Sequence, residues 1–267
     1  MKATIFRKNG GPEVLEYADM PDPAPGPGEI LVRVKACSIN HLDIWIRQGI
    51  PSYKIKLPHI SGCDVSGVVE ASGLGVKKPK VGERVVLAPG MGCSDCAACK
   101  SGAENRCGSY QIRGAATDGG YAQLAVARAS DAITIKKDLS FFEAAAYPLT
   151  FLTAWHMLVG RAVLKKSETV LVQAAGSGIG HAAVLIAKYL GARVITTVGS
   201  QAKLAKAQAL GADHVVDYSQ QDFEEAVKHV TDGRGVDVVF EHTGPRTFEK
   251  SIKSLAKGGR LVVCGAT

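Results

Sequence analysis

Gln173-Ala-Ala-Gly-Ser-Gly-Ile-Gly180 closes an apolar run over 169–174 and opens an amphipathic run over 179–190. The first run reads as a buried strand. In the second, Ala182, Ala183, Leu185, Ile186 and Tyr189 share one helical face, and Gly191 stops the helix. Small residues at a strand-to-helix junction let the backbone approach a phosphate, and the helix N-terminus presents unpaired N–H groups to it. A glycine-rich turn alone is a weak sign, but one inside repeated strand–helix units is specific. Gly176, Ser177, Gly178, Ile179 and Gly180 are therefore the expected cradle of a dinucleotide pyrophosphate.

The repetition is present downstream. Strands over 193–198, 214–217, 236–240 and 260–264 alternate with helices over 202–210, 223–230 and 247–255, with Gly211 and Gly258-Gly259 as helix stops. Five strands and four helices in alternation predict a doubly wound parallel sheet covered on both faces. The chain ends three residues after the fifth strand, at Thr267. A dinucleotide fold ordinarily has six strands, so the sequence is expected to be part of a longer chain.

The end of the second strand of this half bears on the nucleotide. An acid there binds the adenosine ribose hydroxyls and repels a 2′-phosphate. The sequence instead reads Val198-Gly-Ser-Gln-Ala-Lys203, with Gly199 at the acidic position and Ser200 and Lys203 available to a phosphate. NADP(H) is expected over NAD(H).

Upstream of about residue 140 the pattern differs. Ile30, Val32, Val34 and Ala36 alternate with Leu31, Arg33, Lys35 and Cys37 as in a half-buried strand, after a loop of alternating prolines over 21–28. Further short strands over 65–71 and 84–88, punctuated by Gly73, Gly75 and Gly82, suggest an antiparallel barrel-like domain. Ser140-Phe-Phe-Glu143 fits a capping box before a helix over 144–158 that is interrupted near Pro148. The expected domains are 1–139 and 140–267.

Within the first domain, Cys93-Ser-Asp-Cys96-Ala-Ala-Cys99 is followed by Cys107. Four thiolates within fifteen residues predict a tetrahedral zinc site in a loop lobe over 93–107. With every position taken by sulfur, this zinc is structural. Seven cysteines in all, an odd number, argue against a disulfide framework.

Composition narrows the classes further. A chain of 267 residues with 46% hydrophobic content excludes disorder, and 30 Gly and 11 Pro without a period exclude a collagen-like chain. The net charge of +7 is spread over doublets such as Lys77-Lys78, Lys136-Lys137 and Lys165-Lys166. That is a solvated surface, in part suited to a phosphorylated ligand, and not the footprint of a nucleic-acid binder. No apolar run reaches the ~18 residues of a membrane span, and Met1-Lys-Ala-Thr-Ile-Phe6 opens as a strand. A soluble, cytoplasmic chain is expected.

Five segments carry a family resemblance: Ala36-Cys-Ser-Ile-Asn-His-Leu-Asp43, Gly62-Cys-Asp-Val-Ser-Gly-Val-Val69, the lobe cysteines, the turn 173–180 and Gly258-Gly-Arg-Leu-Val-Val-Cys-Gly-Ala266. Over nearly its whole length the chain resembles the medium-chain dehydrogenase/reductase superfamily, within it the quinone oxidoreductase and zinc-type alcohol dehydrogenase-like branch. The resemblance implies a GroES-like β-barrel catalytic domain, a zinc lobe and a Rossmann domain. It also implies a further C-terminal segment, and a homodimer or homotetramer at full length.

The departures from the family bear on mechanism. Where members with a catalytic zinc place their first Cys ligand, this chain has Asn40, and a nearby His corresponds to Trp45. The family's Gly-His-Glu becomes Gly62-Cys63-Asp64, and the third ligand falls near Leu149. An amide and an alkyl group are poor zinc ligands, so the catalytic zinc is expected to be lost, unless His41, Cys63, Asp64 and His59 improvise a site. Without such an ion, hydride transfer suits an acceptor that delocalises charge, a quinone or an α,β-unsaturated carbonyl. The resemblance implies Asn40 near nicotinamide and substrate, Tyr53 as donor or proton source, and Asp43 as an orienting group. It implies Tyr218 near the adenosine phosphate, with Thr243, Cys264, Gly265 and Ala266 lining the nicotinamide pocket. Each catalytic assignment has a structural rival: Asn40 as a cap, Tyr53 as a loop anchor, His41 as a surface residue. Cys264 reads better as a small buried residue than as a nucleophile. His242 is placed by its position at a strand end alone. The expected function is an NADPH-dependent reductase of quinones or activated alkenes. Its alternatives are a zinc alcohol dehydrogenase with an atypical metal site and a non-catalytic structural or RNA-binding protein.

Overall fold

The computed structural model describes residues 1–51 and 55–265. They divide into two compact units, Met1–Leu149 and Thr150–Thr267.

The first unit opens with the hairpin β1 (Lys2–Ile5) and β2 (Glu16–Asp19), then β3 (Glu29–Ser38) and α1 (His41–Gln48). β4 (Asp64–Ser72) and β5 (Arg84–Leu87) follow. A lobe runs from β6 (Gly90–Met91) through α2 (Ala97–Lys100) to β7 (Gln111–Ile112), and β8 (Leu124–Arg128) and β9 (Ala132–Thr134) close the sheet. The strands form an antiparallel sheet in the order β8-β3-β4-β5-β9. Its inner face is the alternate set Ile30, Val32, Val65, Val69, Val85, Leu87, Ala125 and Ala127, the period-2 pattern of a GroES-like barrel. α3 (Phe141–Ala146) is started by the predicted capping box: Ser140 Oγ accepts from Glu143 N at 3.1 Å, and Glu143 Oε2 accepts from Ser140 N at 2.8 Å. This helix packs on β3 and β4, and Ser66 Oγ donates to Phe141 O at 2.6 Å. It therefore belongs to the first unit, and the division falls after Leu149, ten residues beyond the boundary read from sequence.

The second unit begins with α4 (Pro148–Trp155), whose first residues still count with the first unit, and one π-helical turn over His156–Arg161. Thereafter strand and helix alternate: β10 (Thr169–Val172), α5 (Gly178–Tyr189), β11 (Arg193–Val198), α6 (Gln201–Ala209), β12 (His214–Asp217), α7 (Phe223–Val230), β13 (Val236–Glu241), α8 (Pro245–Lys253) and β14 (Leu255–Val263). All pairings are parallel, in the order β12-β11-β10-β13-β14. Val170 and Val172 enter one core with the alanines of α5, and Leu171 enters the opposite one with Phe223 and Val227 of α7. Both faces are covered, as a Rossmann sheet requires.

One boundary differs from expectation. α8 ends at Lys253, and β14 starts at Leu255 because Leu255 pairs with Val236 before a register shift brings Arg260 opposite Val238. Gly258-Gly259 thus lies inside a bulged strand and does not separate helix from strand. Among the described residues no helix is long and apolar enough to cross a membrane.

Candidate active site

In a sheet of this order, ligands bind outside the carboxyl ends of the strands where the order reverses, here between β10 and β13. The turn 173–180 sits there. Ser177 is the N-cap of α5, its Oγ accepting from Gly180 N at 3.0 Å. A Cβ on Gly180 would stand 2.2 Å from Ala174 O, so the turn closes only with glycine there. The N–H groups of Gly176, Gly178 and Ile179 have no acceptor among the described residues. Such unpaired N–H groups at a helix N-terminus fit a pyrophosphate.

Beside the turn lies a cavity of about 510 Å³, lined by Ala174, Thr197, Tyr218, Thr243, Arg246 and Lys250 among others. Lys250 is paired with Asp222, whereas Arg246 has no ion-pair partner among the described residues. Tyr218 is half exposed, and its hydroxyl lies against Gly199, where a Cβ would come within 2.3 Å of it. Lys203 crosses above Gly176, its Nζ 3.8 Å from the point a Cβ there would occupy. Ser200 is the N-cap of α6, and its side chain makes no capping bond. Thr243 N donates to Glu241 Oε1 at 2.6 Å, while its buried Oγ1 has no partner among the described residues. His242 Nε2 lies 2.9 Å from Gln173 O and 3.3 Å from Ser177 Oγ. A carbonyl only accepts, so Nε2 carries the proton, and the ring ties β13 to the turn. Cys264 N donates to Glu241 O at 3.2 Å, and burial pushes the Cys264 thiol up to about 11, which leaves it neutral. Gly265 takes a left-handed φ of 71°, and Ala266 lies outside the described residues.

In the first unit, Asn40 is the N-cap of α1, and its N–H donates to Asp43 Oδ2 at 2.7 Å. Its side chain turns elsewhere: Nδ2 donates to Asp64 Oδ2 at 2.9 Å and to Cys63 Sγ at 3.3 Å. Asp64 is fully buried and also accepts from Ser38 Oγ at 3.0 Å and Leu149 N at 2.9 Å. Burial raises the Asp64 carboxyl above its ordinary value despite these donors. Burial and the Asp64 charge raise Cys63 strongly, so it is a neutral thiol. Asp43 accepts from Tyr121 Oη at 2.7 Å and Gly62 N at 3.2 Å as well as from Asn40. Tyr53 lies outside the described residues.

His41, Cys63, Asp64 and His59 do not come together as one group of potential metal ligands. His59 is 2% exposed, with Nε2 3.0 Å from Gly114 O, and His41 packs on Trp45 with ring centroids 4.9 Å apart. Among the described residues the one group of three or more potential ligands is Cys93, Cys96, Cys99 and Cys107, whose sulfurs all lie within 4.8 Å of one another. Cys96 and Cys99 are 3.5 Å apart, Cys93 and Cys99 3.9 Å. Zinc–sulfur bonds of about 2.3 Å in a tetrahedron set sulfurs about 3.8 Å apart, so the cluster fits the ion. Cys93 Sγ accepts from Cys96 N at 3.3 Å, and Cys107 Sγ from Cys93 N and Ser109 N at 3.4 Å each. The N–H groups of Asp95 and Cys96 hold the Cys93 thiol down at about 6. Desolvation and hydrogen bonds among the sulfurs push Cys99 up to about 12.

Sequence reasoning missed Tyr121, Arg246, Thr197 and Glu241. Glu241, an acid at the end of a buried strand, was the one visible signal among them.

A GroES-like domain with a thiol lobe, joined to a Rossmann sheet with a phosphate turn, defines a dinucleotide-dependent oxidoreductase of two domains. Residues 26–137 match the family model for the alcohol dehydrogenase GroES-like domain, and 178–267 that for zinc-binding dehydrogenase. The chain is 33% identical over 98% of its length to a 2-haloacrylate reductase of a Burkholderia species, covering 72% of that protein. It is 34% identical over 97% of its length to quinone oxidoreductase 1 of Escherichia coli, covering 71%. The solved structure of an NAD-dependent alcohol dehydrogenase superposes on all of this chain and 78% of its own, with a TM-score of 0.97 and 49% identity. The chain belongs to the medium-chain dehydrogenase/reductase superfamily, in the quinone oxidoreductase and zinc-type alcohol dehydrogenase-like branch, and spans about three quarters of these relatives' length. It is an oxidoreductase of a family that acts on small molecules and binds NAD(P) and often zinc.

Proposed function

We propose that the protein is an NADPH-dependent reductase of quinones or α,β-unsaturated carbonyls that carries one structural zinc on Cys93, Cys96, Cys99 and Cys107. The observation that carries the reading is the state of Asn40. Its amide, where related metal sites would need a thiolate, is bonded to Asp64 and Cys63, and Leu149 offers only an alkyl group. A catalytic metal does not fit that donor set.

When bound, the reduced nicotinamide supplies a hydride. The chain's residues then stabilise the charge that develops on the acceptor oxygen. Both amide hydrogens of Asn40 are engaged, and the 3.3 Å contact to Cys63 sulfur is the weaker one. That hydrogen is the one that yields to the acceptor, while Asp64, held by Ser38 and Leu149 N, keeps the amide in place. Choice of nucleotide rests on Gly199, which offers no acid to the ribose, and on Lys203 and Ser200 beside it.

A second reading, alcohol oxidation with NAD⁺, is favoured by the 49% likeness to an NAD-dependent alcohol dehydrogenase. The test measures NADPH oxidation by a 1,4-benzoquinone and by an enone, and alcohol oxidation with NAD⁺, before and after gentle chelation, with metal counted per chain. One zinc and chelation-resistant NADPH oxidation are expected. Two metals, with alcohol turnover lost on removal of the second, would establish the other reading.

A further inference from the structure

A one-way chain of hydrogen bonds crosses the interior of the second unit. Ala174 N donates to Thr197 Oγ1 at 2.8 Å, and Thr197 Oγ1 donates to Gln173 Oε1 at 2.8 Å. Gln173 Nε2 donates to Ser251 Oγ at 3.0 Å, and Ser251 Oγ donates to Glu241 Oε2 at 2.5 Å. Each hydroxyl accepts once and donates once, so the carboxylate at the end sets the direction of every bond. Glu241 is fully buried and has no ion-pair partner among the described residues. Its other partners also donate: Thr243 N at 2.6 Å, Gly244 N at 3.2 Å and Thr247 Oγ1 at 3.0 Å.

The far end of the chain is the strained one. Ala174 has φ 50°, the left-handed region, which its Cβ disfavours. It is also the residue whose carbonyl Gly180 approaches, so its conformation shapes the floor of the turn. Strain of this kind persists only where neighbours over-determine it. Thr197 does so twice, through Oγ1 to Ala174 N and through its carbonyl to Ala175 N at 3.0 Å.

We propose that Glu241, acting through Ser251, Gln173 and Thr197, is a positioning residue that holds Ala174 left-handed and so pre-forms the phosphate turn for the dinucleotide. The same carboxylate orders Thr243 and Gly244, so one buried charge sets two walls of the nucleotide cavity. This rests on the dinucleotide reading above.

The test is direct binding of NADPH and NADH to the whole chain by fluorescence titration, with thermal midpoints recorded alongside. Thr197→Val, which keeps shape and removes the hydroxyl, is expected to weaken both nucleotides about tenfold, while Thr197→Ser stays within about twofold. Adding Ala174→Gly to Thr197→Val should restore binding to within about threefold of wild type, because glycine adopts the conformation unaided. A merely structural hydroxyl would lower the midpoint and leave Ala174→Gly without rescuing effect. Ser251→Ala should reproduce the Thr197→Val loss, and the pair should fall well short of the product of the two. Wild-type protein that binds nucleotide, with Thr197→Val binding equally well, overturns the relay alone. Wild-type protein that binds neither nucleotide overturns the cofactor reading and the relay with it.

Discussion

Lys203→Ala separates the two phosphates of the proposed nucleotide. Lys203 is exposed, has no ion-pair partner among the described residues, and holds its Nζ 3.8 Å from where a Gly176 Cβ would stand. A 2′-phosphate carries nearly two charges at neutral pH. Unit charges about 4 Å apart attract by ~1 kcal/mol in water and ~4 kcal/mol at an effective dielectric of 20. An exposed lysine belongs near the lower figure, so about 1–2 kcal/mol is expected, roughly five- to thirtyfold in Kd. Titration at about 50 mM and 500 mM salt should show NADPH weakened by that factor at low salt, NADH within about twofold, and the gap closing at high salt. Equal losses on both nucleotides would refute the reasoning, because the lysine would then serve the pyrophosphate common to both.

Further outcomes follow from the first unit. Cys107→Ser should abolish the single bound zinc and lower the thermal midpoint by about 5 °C or more; unchanged metal content would count against a four-thiolate site. Because backbone N–H groups hold Cys93 down at about 6, its thiolate persists above that pH and is lost below it. In metal-stripped protein, alkylation of Cys93 should therefore slow as pH drops through about 6, and a rate that already falls through the ordinary thiol range near ~8.5 would contradict that hold. Burial pushes Cys37 up to about 12 and raises Cys63 as well, so alkylation of native, metal-stripped protein at pH 8 should mark lobe cysteines and spare these two. Asn40→Asp sets a second carboxylate beside one that burial already holds above its ordinary value. The folded variant then binds more protons than the unfolded chain, so its stability should fall as pH rises from about 4 to 7, more steeply than wild type; a flat difference would contradict the geometry.

How far the sequence reaches depends on whether a residue's partners are local. The parallel sheet was legible because strands buried on both faces read as short apolar runs and the helices between them carry one apolar stripe. Most predicted boundaries lie within two residues of those observed. The exceptions are the helix expected over 144–158, observed as α3 from Phe141 and α4 to Trp155, and β14, whose first residues, Leu255–Lys257, look like the end of a helix. They are strand because Leu255 has a partner in Val236, and a pairing across the sheet leaves no local trace. The π-helical turn over His156–Arg161 is likewise set by tertiary context, not by composition. The capping box at Ser140 is wholly local, and it was read correctly to the residue.

The site divides along the same line. The glycine turn and the four cysteines announce themselves because their chemistry sits within fifteen residues or fewer. Asn40 was visible only as a departure, set by resemblance near nicotinamide and substrate; the structure shows both hydrogens of its amide given to Asp64 and Cys63, 24 and 23 residues away. The relay from Ala174 to Glu241 was not legible at all. Thr197, Gln173 and Ser251 each look like a polar residue tolerated near a strand end or on a helix, and only packing brings them into line. Yet their burial is informative: a buried hydroxyl or amide is stable only when its bonds are satisfied, so three of them in register with a buried carboxylate that has no ion-pair partner among the described residues are there as a unit. An all-apolar interior would fold this sheet as well. It would leave Ala174 without the donor–acceptor pair that keeps it left-handed, and the turn would then have to be shaped by the nucleotide at the expense of binding.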